Sequence, residues 1–401
     1  MSRVLISGAS VAGPALAFWL RRHGWEAVVV ERAPALRTGG QNIDIRGAAR
    51  EVLRRMGIDD AVAAATTGEE GTEFVGRGGR VVATFPAGTT ESGGATGERE
   101  ILRGDLSQIV VAETLAGERP VEYRYDDRIT ALDEQDGQVR VTFEQAPDER
   151  FDVVVAADGI GSSTRRLVFG DAPEIRSLGL EITYGTIPRE STDKPLWRWY
   201  NAPGGRSVTL RPDRHGTTRA TLTRLTGEGA RAGVQERSSV ELLDRLRTQF
   251  ADAGWEAGRV LAGFAVADDL YSESIGQVFA PAWSRGRVGL LGDAAWCAAP
   301  VSGMGTSLAL VGAYVLAGEL AHHDDPAAGF AAYERVLRPY VAQAQKLPPG
   351  TPRVANPRTR AGIAAFQTGL RVAAALPSWV GEKVFAPSAE TFELPAYGDA
   401  A

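Results

Sequence analysis

The run from Arg3 to Glu31 constrains the fold more than any other part of this sequence. An apolar strand, Arg3 to Ser7, enters the turn Gly8-Ala9-Ser10-Val11-Ala12-Gly13, a helical stretch follows from Pro14 to His23, and a second apolar strand, Ala27 to Glu31, ends on a carboxylate. Parallel strands need a crossover between them, and a right-handed βαβ unit supplies it, so the start of the chain predicts an α/β fold with a doubly wound, Rossmann-like parallel sheet. The glycines permit the tight turn and close helix packing, and a helix beginning near Pro14 offers N–H groups and the positive end of its dipole to a pyrophosphate. Ser10 stands where the dinucleotide fingerprint has its second glycine and is small enough for the same task. Glu31 lies eighteen positions after Gly13, where a carboxylate accepts hydrogen bonds from a ribose. Gly8, Ser10, Val11, Ala12, Gly13, Glu31 and the adjoining Arg32 are therefore candidate dinucleotide-binding residues.

The pattern then changes twice. A polar, glycine-rich span from Thr66 to Gly97 carries short strands around Phe74 and from Val81 to Phe85, and helical periodicity returns from Asp105 to Ala116. Strands at Val139 to Phe143 and Phe151 to Ala156 lead into Asp158-Gly159. From Leu178 to about Leu225 the residues alternate as in an antiparallel sheet with one apolar face, notably Trp197 to Tyr200, Ser207 to Arg211 and Thr218 to Leu225. An amphipathic helix, Ser239 to Ala251, follows, and the apolar strand Arg287 to Leu291 runs into Gly292-Asp293. The economical organisation is one nucleotide-binding domain (1–75, 98–176 and 275–345) interrupted by an antiparallel substrate domain (76–97 and 177–274), closed by a helical segment at 346–401.

Composition excludes some classes of function. Among 401 residues, 44 are basic and 50 acidic, a net charge of −6 that argues against a nucleic-acid surface. The single cysteine, Cys297, excludes an internal disulfide, and with no basic, cleavable leader pattern the expectation is a cytoplasmic protein. Gly303 to Leu320 is apolar, but its glycines and Glu319 mark a buried core helix rather than a membrane span. A second glycine run, Gly227-Glu228-Gly229-Ala230-Arg231-Ala232, lacks a prompt helix and a carboxylate-ended parallel strand and reads as a surface loop.

Two further motifs end apolar strands: Ala157-Asp158-Gly159-Ile160-Gly161-Ser162-Ser163-Thr164-Arg165, and Gly292-Asp293-Ala294-Ala295 with Pro300, Gly303, Met304 and Gly305 behind it. With the first cradle they resemble, in order, the three signatures of the para-hydroxybenzoate hydroxylase-like flavin monooxygenases, the aromatic-ring hydroxylases, over residues 1–345. Gly39-Gly40-Gln41-Asn42-Ile43-Asp44-Ile45-Arg46 further resembles the tetracycline-inactivating branch and its actinobacterial relatives. The resemblance implies FAD as cofactor, with Asp293 on the ribityl hydroxyls, Pro300, Gly303, Met304 and Gly305 against the flavin ring, and Arg103 on phosphate or ribityl oxygens. It implies Asp158 and Arg165 in a motif serving both FAD and NAD(P)H, and Arg37, Asp44 and Arg46 bordering the cofactor. Trp296 stands where the family often has histidine, and Ser307 where it has asparagine.

By resemblance, NADPH or NADH reduces the flavin, dioxygen forms a C4a-hydroperoxide, and one oxygen atom enters an aromatic or polycyclic small molecule by hydroxylation or Baeyer–Villiger insertion. A reductase or dehydrogenase of the same fold is the alternative. No catalytic base is assigned, no metal is expected, and His23, His215, His322 and His323 lie outside the motifs. His322 and His323 are placed to cap the end of the long helix. Trp197, Trp199 and Tyr200, with Phe264 and Tyr271, are the candidate lining of a largely apolar substrate pocket. Because Trp197 and Trp199 alternate along a strand they share a face, which is either that pocket or the core packing of the sheet. Cys297 reads as a small buried hydrophobe.

Overall fold

A computed structural model describes residues 1–37, 39–87, 100–227, 232–234, 238–348, 350–376 and 392–398. The Arg3–Ser7 strand lies inside a six-stranded sheet whose order is Ser284–Arg285, Val288–Leu290, Val153–Ala156, Arg3–Ser7, Glu26–Glu31 and Glu122–Tyr125. All neighbours are parallel except Ser284–Arg285. Successive strands fall on opposite sides of Arg3–Ser7, so the carboxyl ends of Arg3–Ser7 and Val153–Ala156 border a topological switch point, the place where open α/β sheets bind ligands.

The central strands are continuous β-branched runs because both faces are covered. Val4 and Ile6 face the helices Ala12–Arg22 and Gly305–His322, whereas Leu5 faces a three-stranded antiparallel sheet through Val139, Val141 and Phe151. Gly305–His322 is buried along almost its whole length, and among the described residues no helix is long and apolar enough to cross a membrane. His322 and His323 turn back onto the end of this helix, with Nδ1 2.8 Å from the Gly318 and Glu319 carbonyls.

The second sheet has eight strands in the order Gly233–Val234, Tyr271–Phe279, Glu174–Pro188, Thr217–Leu225, Arg206–Pro212, Trp197–Ala202, Gly71–Val75 and Val81–Pro86. Gly71–Val75 pairs in parallel with Trp197–Ala202 and antiparallel with Val81–Pro86, so a boundary at 75/76 runs between hydrogen-bonded neighbours. Period-two alternation divides the side chains between faces. Tyr200, Val208, Leu210, Ala220 and Leu222 pack on the helices Ser239–Phe250 and Ala257–Phe264, leaving Trp197, Trp199, Thr209, Arg211 and Thr221 on the opposite face.

That opposite face meets the carboxy-terminal closure. Phe366 and Leu370 of the helix Arg360–Ala375 pack with Phe74, Val82 and Trp199. The short segment 392–398 returns to the first domain, where the Tyr314 hydroxyl donates to the Pro395 carbonyl at 2.8 Å and Tyr397 donates to Glu319 at 2.7 Å. Residues 88–97 of the expected polar span and 228–231 of the second glycine run lie outside the described residues.

Candidate functional site

The amino-terminal turn is shaped for close approach of a ligand. Gly8 holds φ +109°, and a Cβ there would lie 2.5 Å from the Ala157 carbonyl oxygen; a Cβ on Gly13 would lie 2.0 Å from the Gly8 oxygen. Only glycine fits either position. Val11 and Ala12 are buried, Ser10 is exposed, and the helix Ala12–Arg22 starts without a side-chain cap, which leaves its first N–H groups to an external acceptor. Glu31 is oriented by two backbone donors, Ala9 N at 3.0 Å to Oε2 and Ala33 N at 2.9 Å to Oε1, and each oxygen keeps a lone pair for a hydroxyl. Arg32 beside it is exposed.

Asp158 accepts hydrogen bonds from Ser162 Oγ and from Thr164 Oγ1 at 3.1 Å. Burial pushes its carboxyl up from the ordinary aspartate range, and these bonds pull it back. Arg165, expected among the cofactor contacts, is only 2% exposed and turned inward, with Nη1 donating to the Ala294 carbonyl at 2.8 Å and Nη2 to the Ile160 carbonyl at 2.7 Å. Its place is to position the second motif against the third.

The third motif opens the site. Asp293 is solvent-accessible, yet the surrounding protein raises its carboxyl from the usual range, while the Cys297 thiol and the Arg103 charge act in the other direction. Cys297 is buried, and its Sγ lies 3.4 Å from the Gly276 carbonyl. Ala299 has φ +70° and ψ 150°, a region costly to a residue with a Cβ by about 1–3 kcal/mol, and this strained residue begins the turn Pro300–Ser302. Gly303 and Met304 then lead into the helix Gly305–His322. Trp296 points into the core, its ring 4.4 Å from Trp283 and 5.8 Å from Tyr333, and Ser307 Oγ accepts from Arg46 N at 3.0 Å.

Arg103 opens the helix Arg103–Leu115. Its charge interacts with Tyr271, Glu273 and Tyr184 of the eight-stranded sheet and with Asp293, and its backbone N–H donates to Gln41 O at 3.1 Å. The Tyr271 hydroxyl donates to Gln41 Oε1 at 2.9 Å, and the Tyr184 and Tyr271 rings stack at 4.9 Å. Burial raises Glu273, and the Arg103 charge lowers it. Arg37 is exposed, with its charge felt at Tyr271, while Asp44 and Arg46 form an ion pair at 3.0 Å. Tyr184 and Glu273 had no signal in the sequence, because antiparallel strands carry no local motif for a residue that acts on another element, whereas Gln41 lies within the Gly39–Arg46 motif.

On the second sheet the structure separates the expected substrate residues. Trp197 lies under Arg211 with Cζ 4.3 Å from its ring, and Arg211 forms a two-pronged pair with Glu69 at 2.9 and 3.1 Å and a further pair with Glu100. Trp199 stacks on Phe74 at 5.9 Å and stays half-buried beside Phe366. Tyr200 and Phe264 do not join them. Both are buried in the core between the sheet and its helices: strand alternation turns Tyr200 to that side, where its hydroxyl donates to the Ala253 carbonyl at 3.0 Å, and Phe264 ends the covering helix Ala257–Phe264. Tyr271, by contrast, stands beside Arg103.

Residues 1–346 match the family described as FAD binding domain. The chain belongs to that family. It is 34% identical over 98% of its length to 98% of an FAD-dependent monooxygenase, asL4, of Sarocladium schorii, and 35% identical over 86% of its length to 87% of a flavin-dependent monooxygenase of Legionella longbeachae. Among solved structures, 99% of this chain overlays 99% of the tetracycline destructase Tet(55), with a TM-score of 0.78 and 32% identity. Tet(51), a second tetracycline destructase, overlays with a TM-score of 0.80 and 28% identity, again over 99% of each chain. The protein is accordingly an FAD-dependent monooxygenase.

Proposed function

We propose that this monooxygenase consumes NADPH or NADH and dioxygen to insert one oxygen atom into an aromatic or polycyclic small molecule. The observation that carries the reading is the third motif: Asp293 just beyond the end of Val288–Leu290, followed by the strained Ala299 and the Pro300–Ser302 turn into Gly305–His322, with the Arg103 charge acting on both Asp293 and the Tyr184/Tyr271 pair. The glycine-only contacts of Gly8 and Gly13 and the amide-held Glu31 fit FAD: the adenosine ribose to Glu31, the pyrophosphate to the start of Ala12–Arg22, the ribityl chain to Asp293 and Arg103. When bound, the flavin supplies the redox and oxygen chemistry.

The chain's own residues bind, orient and exclude water. The start of Gly305–His322, which has no side-chain cap, would offer its N–H groups to the flavin and favour negative charge there. Asp158 and Arg165 hold the loop geometry from beneath through their bonds to Ser162, Thr164 and Ala294. Trp197 and Trp199 give the far wall flat surfaces, and the Thr209 and Thr221 hydroxyls, paired at 2.7 Å, add polar atoms suited to an oxygenated ring system. Likeness to two enzymes named as tetracycline destructases supports a polycyclic ligand.

The reading is tested by labelled dioxygen and by Asp293→Ala. Product carrying one labelled oxygen atom is expected, and product formed equally well without oxygen would favour a reductase. Asp293→Ala should weaken FAD by about tenfold or more through loss of charge-assisted hydrogen bonds. Full flavin occupancy at limiting FAD would overturn the assignment of that motif.

A further inference from the structure

We infer that a cationic cavity beside the carboxy-terminal closure receives the phosphates of the nicotinamide dinucleotide; the inference rests on the NAD(P)H-consuming reading above. The cavity has a volume of about 520 Å³ and lies between the bulge at Leu178–Gly179 in the strand Glu174–Pro188, the end of the strand Thr217–Leu225 at Leu225–Thr226, and the exposed Arg353 and Arg358. That volume is within the range of small-molecule sites. Its apolar floor leads toward the proposed flavin turn, because Leu178 and Leu225 pack in one cluster with Leu180, Ile275, Ala299 and Val301. Thr226 Oγ1, on its wall, is buried with no hydrogen-bond partner among the described residues.

Charge selects the ligand. Residues 346–376 contain five Lys and Arg and no Asp or Glu, within a chain of net charge −6. A local excess of this kind draws a polyanion to one place on an otherwise acidic protein. Guanidinium groups pair with phosphate through two parallel hydrogen bonds, which suits Arg353 and Arg358 to a pyrophosphate. The parallel sheet has one switch-point crevice, and FAD occupies it in the proposed reading. A second dinucleotide needs another surface, and this cavity offers positive charge at its rim with an apolar path toward Ala299 and Val301.

The experiment uses the full-length, FAD-loaded protein and titrates NADP⁺ and NAD⁺, oxidised forms that do not reduce the flavin, into wild type and Arg353→Gln/Arg358→Gln. Calorimetry at low and raised ionic strength gives Kd. The double variant should raise Kd for the dinucleotide about tenfold and lose most of its salt dependence. Flavin content and melting temperature should stay unchanged, since both side chains are exposed. An unchanged Kd, or a wild type that binds neither dinucleotide, overturns the inference. Weakened binding of an anionic aromatic such as salicylate, with the dinucleotide unaffected, also overturns it and gives the cavity to substrate. Failure of the flavin reading itself would show separately, as a wild-type protein that takes up no FAD.

Discussion

The Arg165 guanidinium donates to the Ala294 carbonyl at 2.8 Å, so the second and third motifs, 129 positions apart, share a buried hydrogen bond. A second donor of the same group holds Ile160 O at 2.7 Å. Arg165→Ala would leave both carbonyls unpaired and open a cavity, costing about 3 kcal/mol. The expected result is a lower melting temperature together with weaker FAD retention, partly restored by excess FAD. Arg165→Lys should recover part of the stability, because an ammonium group reaches only some of those acceptors. A variant melting like wild type would show that the bridge contributes nothing.

Glu31 tests the other end of the cofactor. Its oxygens are fixed by Ala9 N and Ala33 N, so the carboxylate is preorganised before any ribose arrives. Glu31→Ala should raise the FAD dissociation constant by roughly tenfold, with FMN affinity unaffected because FMN lacks the adenosine. Fluorescence titration with both flavins checks this, and equal loss for the two would remove Glu31 from the ribose.

The aromatic strand separates wall from core. Tyr200→Phe loses one hydrogen bond to Ala253 O and should cost about 1 kcal/mol, with coupling of NAD(P)H oxidation to product intact. Trp199 stacks on Phe74 but is only half-buried, so Trp199→Ala should both lower the melting point, by about 3 kcal/mol or less of stability, and increase the hydrogen peroxide released per NAD(P)H. Melting temperature and peroxide yield measured on one preparation distinguish these roles. Unchanged coupling in Trp199→Ala would assign the residue to packing alone.

Glu69 carries a pH signature. Burial raises its carboxyl well above the ordinary range, the Arg211 charge opposing and the Glu100 charge reinforcing that shift. A carboxyl that binds its proton more tightly in the folded state stabilises fully below the unfolded value, about 4.3, and loses that contribution as pH rises toward its raised value. Glu69→Gln keeps a neutral hydrogen-bonding group, so its stability relative to wild type should increase with pH across that window. Thermal melts from roughly pH 5 to 9 read the difference, and parallel curves would contradict it.

Local sequence was enough for the parts of this protein built from contiguous residues. Strand, turn and helix from Arg3 to His23 are specified by an apolar run, two glycines and helical periodicity, all within reach of one βαβ unit, and the three strand-end motifs carried the family. The placement of Glu31 at a strand end beside the turn was legible as well, since a carboxylate there needs only its register. Long-range packing decided the rest. Tyr200 follows Trp199 by one residue, yet alternation sends them to opposite faces of a sheet, and only the helices Ser239–Phe250 and Ala257–Phe264 determine which face is closed. Arg165 belongs to a motif, but the partner that turns it inward lies in another motif. The Arg103 charge, at the start of a helix, acts on Tyr184, Tyr271 and Glu273 of the eight-stranded sheet, and such a pairing of distant segments leaves no periodicity or spacing to read. Sequence fixes what a segment can form by itself; which buried face, which charge partner and which neighbour it meets are set by contacts among residues far apart in the chain.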